Sequence, residues 1–143
     1  MPLLNYTTRV PAEQTVMEIT QLLVKYGATD IITSYGEDGQ PRGLKWRLTT
    51  PHGPLAFALP CNVPQVFHLL TQDRIQVRDV EARRKQATRV AWRILKDWIE
   101  AQLALLDTGM VELEEIFLPY MLQGDQTLYQ ALQAGNFKAL QSG

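Results

Sequence analysis

One cysteine, Cys61, and two histidines, His52 and His68, are all that the 143 residues contain of those types. A lone cysteine excludes an intrachain disulfide framework and a multi-cysteine zinc site, and it suits a reducing compartment. No run of about 18 apolar residues occurs, so no membrane-spanning helix is expected. The opening MPLLNYTTRVPAEQ lacks the basic start and long apolar core of a secretory signal, and a cytoplasmic protein is expected. Neither sign of charge is in excess: a formal net charge of −1 excludes a bulk polycation, and 45% hydrophobic content argues against intrinsic disorder. A chain of this length can bury a core without staples and is read as a single domain.

Chemical motifs are missing as well. The sequence has no GxxxxGK[ST], dinucleotide GxGxxG, HExxH or GxSxG. Cys61 reads as a small buried hydrophobe rather than a nucleophile served by His52, which sits in a TPHG turn. His68 lies in an apolar helical stretch and reads as a core or boundary residue. Glu112, Glu114 and Glu115 lack an Asp or His companion at metal-ligand spacing and fit the first turn of a helix. No catalytic residue, cofactor or metal is assigned, and a non-enzymatic protein is expected.

Periodicity supplies the fold. Residues 4–10 are rich in Tyr, Thr and Val and read as a short leading strand. PAEQTVMEITQLLVKYG follows with helical spacing of Val16, Ile19, Leu22 and Leu23, entered at Pro11 and stopped at Gly27. The period then changes to two in TDIITSYG, GLKWRLTT and PLAFAL, separated by the turns GEDGQPRG and TPHG. Alternation puts Leu44, Trp46 and Leu48 on one face with Leu55, Phe57 and Leu59. Lys45, Arg47, Thr49, Ala56 and Ala58 lie on the other, where small side chains permit close approach by a partner or ligand.

CNVPQVFHLLTQ reads as a short helix with Asn62 as N-cap and Pro64 in its first turn. A connection then leads to a long helix over residues 80–106. MVELEEIFLPYML is a shorter helix interrupted at Pro119, and Asp125 is expected to cap a last helix reaching about Ala139. The fold class is α+β: a three- or four-stranded antiparallel meander packed by an N-terminal helix and a long helix in the C-terminal half, with short helices after it.

The long helix is too apolar for one face. With Ile94 at zero and about 100° per residue, Ala87, Val90, Ala91, Trp98, Ala101 and Leu105 fall within about 60° of it. Trp92, Leu95, Ile99, Leu103 and Leu106 fill the adjoining arc, so the apolar stripe is about twice what a helix lying on a sheet requires. The first arc is expected on the sheet. Trp92, Leu95, Ile99 and Leu103 are expected at an interface with a second copy, giving a homo-oligomer.

Positive charge concentrates locally. Arg74, Arg78, Arg83, Arg84, Lys85, Arg89, Arg93 and Lys96 lie between residues 74 and 96, and with Lys45 and Arg47 they form a candidate surface for phosphate oxygens. Arg93–Asp97 and Lys96–Glu100 also have the spacing of helix-supporting ion pairs.

The element order, with ARRKQATRVAWRIL opening the long helix, resembles the double-stranded RNA-binding domain. That resemblance assigns phosphate contacts to Arg83, Arg84, Lys85 and Arg89. The sequence departs from the pattern in an additional helix at residues 63–72, in lacking a glycine-rich approach to the basic helix, and in the about 35 residues that follow it. TPHG, FALP, RVAWRILKDWIEAQ and FLPYM resemble a family of small phage- and prophage-encoded proteins without an assigned activity. The resemblance covers much of residues 6–121 and implies a mobile-element accessory protein in the host cytoplasm. The expected function is binding of an anionic ligand, nucleic acid first, through Arg83, Arg84, Lys85, Arg89, Arg93, Lys45 and Arg47. Two alternatives stand beside it: sequestration of a nucleotide immune signal at a subunit interface, and a module that blocks a host protein.

Overall fold

The computed structural model describes residues 3–72 and 79–141. Helix α1 (Ala12–Lys25) leads into strands β1 (Ala28–Tyr35), β2 (Pro41–Thr50) and β3 (Gly53–Pro60); α2 (Val63–Gln72) and the long α3 (Val80–Asp107) follow. The chain closes with α4 (Leu113–Phe117), a two-strand hairpin of β4 (Leu122–Gln123) and β5 (Gln126–Thr127), and α5 (Leu128–Ala134). The class is α+β, as expected.

The sheet is an antiparallel meander in the order β1-β2-β3. Its register pairs Leu44 with Leu59, Trp46 with Phe57 and Leu48 with Leu55, so one pleat face gathers six large apolar side chains. Four of those six are at most 3% exposed, which fixes the register because a one-residue slip would turn every one of them outward. A fourth strand is present only as a single bridge, Met121 to Phe57, where the C-terminal segment touches the β3 edge.

Two expected boundaries differ. Residues 4–10 form turns instead of a strand, with Asn5 in the left-handed region at φ 62°. Among the described residues no strand pairs with them. The Gln86 side-chain amide donates to the carbonyls of Tyr6 (2.9 Å) and Thr8 (3.0 Å) and pins the segment to α3. The last helix is capped by Thr127, not Asp125, and ends at Ala134. Thr127 Oγ1 accepts from Gln130 N while Gln130 Oε1 accepts from Thr127 N, a reciprocal capping box. Asp125 sits in the turn between β4 and β5, beside Gly124 at φ 65°.

Helix α3 runs through the interior. Trp92 and Ile99 are 0% exposed and Leu103 is 2% exposed, all within the single chain; Leu95 is half-buried against the same core. The second apolar arc is therefore buried within the chain, as are Ala87, Val90 and Ala91 of the first. The half-buried Ile94, Trp98 and Leu105 of the first arc lie nearer the surface. Cover comes from α1 and the turns before it, from α2, and from the C-terminal segment. The indole N–H of Trp92 donates to the Pro41 carbonyl at the start of β2 (3.0 Å), inside the core. On the far side, Phe117 is 1% exposed and meets Trp46, Phe57 and Trp98 edge-on at centroid distances of 5.4, 6.1 and 5.9 Å. Trp46 and Phe57 stack on each other at 5.3 Å, and Tyr120 closes on Trp98 at 5.7 Å. Pro119 delivers these rings: α4 stops after five residues and Leu118–Tyr120 continue as a 3-10 turn.

Chain-internal cover thus replaces the second copy invoked for Trp92, Ile99 and Leu103. Their burial no longer calls for a partner.

Two substitutions measure this packing. Phe117→Ala should cost about 3–5 kcal/mol in urea unfolding, as for other buried aromatic truncations. Trp92→Phe keeps most of the apolar volume but strands the Pro41 carbonyl, and should cost about 1–3 kcal/mol with an unchanged m-value. A loss below about 0.5 kcal/mol in either would show that the ring is not held as described.

Candidate functional site: a basic corner and an open sheet face

The structure divides the basic residues into groups with different environments. Arg93 is committed inside the fold. Its Nη1 lies 2.6 Å from the Glu18 carboxylate of α1 and 3.4 Å from the hydroxyl of the buried Thr15. Asp97, its expected helix partner, instead accepts from the Asn5 side chain at 2.8 Å. Lys96 does pair with Glu100, as the spacing suggested. Arg89 is half-buried and donates through Nε and Nη2 to Gln86 Oε1 at 2.9 and 2.6 Å. That amide holds the N-terminal turns with its other end, so Arg89 braces a structural clamp. Arg74 and Arg78 lie outside the described residues.

Arg83, Arg84 and Lys85 occupy the first turns of α3, where Asp79 caps the helix by accepting from Glu81 N. The two arginines rest on the Phe67 ring of α2, their guanidinium carbons 5.8 and 5.1 Å from its centroid. Such contacts contribute about 0.5–1 kcal/mol each at an accessible site and hold the planar cations in place. Arg83 also donates to Thr71 Oγ1 at 3.4 Å, and Arg84 approaches Glu81 at 3.9 Å. Lys85 is exposed beside them.

Arg42 joins this corner from β2. It shares a cleft of about 170 Å3 with Arg84, Phe67, Val63 and Pro64. Asp38 takes one of its donors in a 2.9 Å ion pair across the β1–β2 turn, and a guanidinium has five. Arg42 and Phe67 were not singled out in the sequence, because nothing local joins positions 42, 67 and 84. The Arg42 signal was weak: a third basic residue in a strand already carrying Lys45 and Arg47.

Lys45 and Arg47 do not reach the corner. They project from the sheet face opposite Trp46, away from α3, where Arg47 lies across from Asp30 on β1. The sheet therefore splits the single cationic surface expected from the sequence into two.

The acid and thiol positions have structural roles. Glu112 and Glu115 form the capping box of α4, each side chain meeting the other's backbone N–H. Among the described residues, no three His, Cys, Asp or Glu side chains stand together as metal ligands. Among them, too, no helix is long and apolar enough to cross a membrane. His52 and Cys61 flank opposite ends of β3, whose eight residues extend roughly 26 Å at about 3.3 Å each. They form no dyad. Burial pushes the Cys61 thiol up to about 12, against a smaller downward pull from Arg42.

With so little thiolate at pH 8, Cys61 should resist Ellman's reagent in the native protein and react only as the protein unfolds in urea. Rapid native labelling at pH 8 would contradict this burial. No family model, curated protein or solved structure matches this chain.

Proposed function

We propose that the chain is a non-enzymatic accessory protein of a phage or other mobile element, working in the host cytoplasm and binding an anionic ligand at the basic corner. Nucleic acid is the first candidate. One observation carries the reading: Arg42 from β2 and Arg84 from α3 share a single cleft, with Phe67 presenting the two helix arginines beside it. Guanidinium groups braced on a ring are preorganised for phosphate oxygens, and an exposed lysine adds a further charge. The element order shared with the double-stranded RNA-binding domain and the resemblance to phage-encoded proteins support the same reading. The corner comprises Arg42, Arg83, Arg84 and Lys85; Arg89 and Arg93 serve the fold.

Asp38, Asp79 and Glu81 border the same corner. The charge excess is small, and the ligand accordingly meets a few phosphates instead of a long tract. Four contacts give a slope of log K against log [salt] of about −3.6 on duplex DNA, at about −0.9 for each phosphate neutralised. Raising salt from about 50 to 200 mM should then weaken duplex binding roughly a hundredfold. The double substitution Arg83→Ala with Arg84→Ala should reduce the slope by about 1.8 while leaving the circular dichroism spectrum unchanged. Fluorescence anisotropy with a labelled duplex tests this; absent binding, or binding indifferent to salt, overturns the proposal.

Sequestration of a nucleotide is favoured by a separate observation on the opposite sheet face, developed below. The oligomer and host-blocking readings rested on the second arc of α3, three of whose residues are buried in the chain, and they gain no comparable support.

A further inference from the structure

The outer face of the sheet is only half covered. The C-terminal hairpin and α5 arch over its β3 side, leaving two adjoining cavities of about 340 and 400 Å3 that share Lys45 and Leu122. Each falls in the size range of small-molecule sites. The first is bordered by Ile32, which is 62% exposed, by Ala56, and by the cross-strand pair Asp30 and Arg47. Ala58 borders the second, facing Tyr120, Tyr129 and the amides of Gln130 and Gln133.

We infer that this groove binds a nucleoside monophosphate within a single chain. The inference deepens the nucleotide reading above, moving its site from a subunit interface to the sheet face. It is independent of the basic corner. Lys45 stands where the two cavities meet, and among the described residues it has no ion pair or side-chain hydrogen bond. Its ammonium is a point charge suited to one phosphate. Arg47 borders the first cavity across from Asp30 on β1, and Asp125 adds a carboxylate to the second. Lys45 and Arg47 are thus matched by two carboxylates, which leaves no net positive charge for a longer phosphate chain or a polynucleotide.

The remaining lining fits the rest of such a ligand. Alanines on the strand floor admit a flat ring against the sheet, with Ile32 and Leu122 as apolar sides. Tyrosine rings and hydroxyls with two carboxamides offer stacking surface, donors and acceptors to a base edge and a ribose. A ligand with one anionic group, one planar ring and several hydroxyls uses every one of these features. Inorganic phosphate uses only Lys45, and a nucleoside leaves Lys45 unused.

Isothermal titration of the whole chain with AMP, GMP, CMP and UMP, beside adenosine and inorganic phosphate, tests the site. At least one monophosphate should bind, with its nucleoside and free phosphate at least about tenfold weaker. Lys45→Ala, at an exposed position, should weaken that monophosphate about tenfold. Ala58→Leu, which fills the groove floor, should weaken it further. Arg83→Ala with Arg84→Ala should leave it unchanged, which separates this site from the duplex-binding corner. The inference fails if none of the four monophosphates gives heat up to about millimolar concentration. It fails equally if Lys45→Ala binds as the parent does, or if affinity follows Arg83 and Arg84 instead.

Discussion

Phe117 is the keystone of this structure. A helix with apolar residues around more than half its circumference cannot rest on one sheet, because its second side remains in water. Here α1 and the N-terminal turns close one flank of α3, α2 closes another, and the Phe117 ring reaches in among Trp46, Phe57 and Trp98. The aromatic cluster also fixes the groove. Tyr120 and Leu122 follow Phe117 within five residues, so the rings that seat α4 set how far the hairpin leans over the sheet's outer face. Core packing and groove shape are one geometric problem.

Alternation along β2 governs where charge can act. Lys45 and Arg47 face outward because Leu44, Trp46 and Leu48 must face inward, and the sheet then stands between them and the arginines of α3. A ligand at Arg84 and one at Lys45 occupy different sides of the molecule. The inner side is further divided by use. Arg93 and Arg89 are consumed by Glu18 and Gln86 and Arg83 bonds to Thr71, while Arg84 and Arg42 line a cleft. Basic residues within one helix thus differ in availability according to what the neighbouring helix or turn offers them.

Much of the fold was legible because it rests on local period and local caps. The pleat assignments of β2 and β3 match the observed register, and Asn62 Oδ1 accepts from Gln65 N at 3.1 Å, as an N-cap should. The Thr127–Gln130 box was also written in the chain as T-x-x-Q; Asp125 drew the eye only because acidic residues cap well in general. The leading strand was illegible for the opposite reason. Its Tyr, Thr and Val favour extension, yet an amide 78 and 80 positions away takes the carbonyls a ladder would need. The candidate site suffers the same limit. Arg83, Arg84 and Lys85 stood out as a run, but Phe67 joins them only through the packing of α2 against α3, and Arg42 only through the placement of β2 beside both.

Keystones are set last. Phe117 follows the sheet and α3 along the chain, and without it Trp46, Phe57 and Trp98 lack the ring that closes over them. A chain cut short near residue 110 therefore carries an unroofed aromatic patch, the kind of surface that recruits chaperones and promotes clumping. The segment that follows α3 thus acts as the latch on the aromatic core.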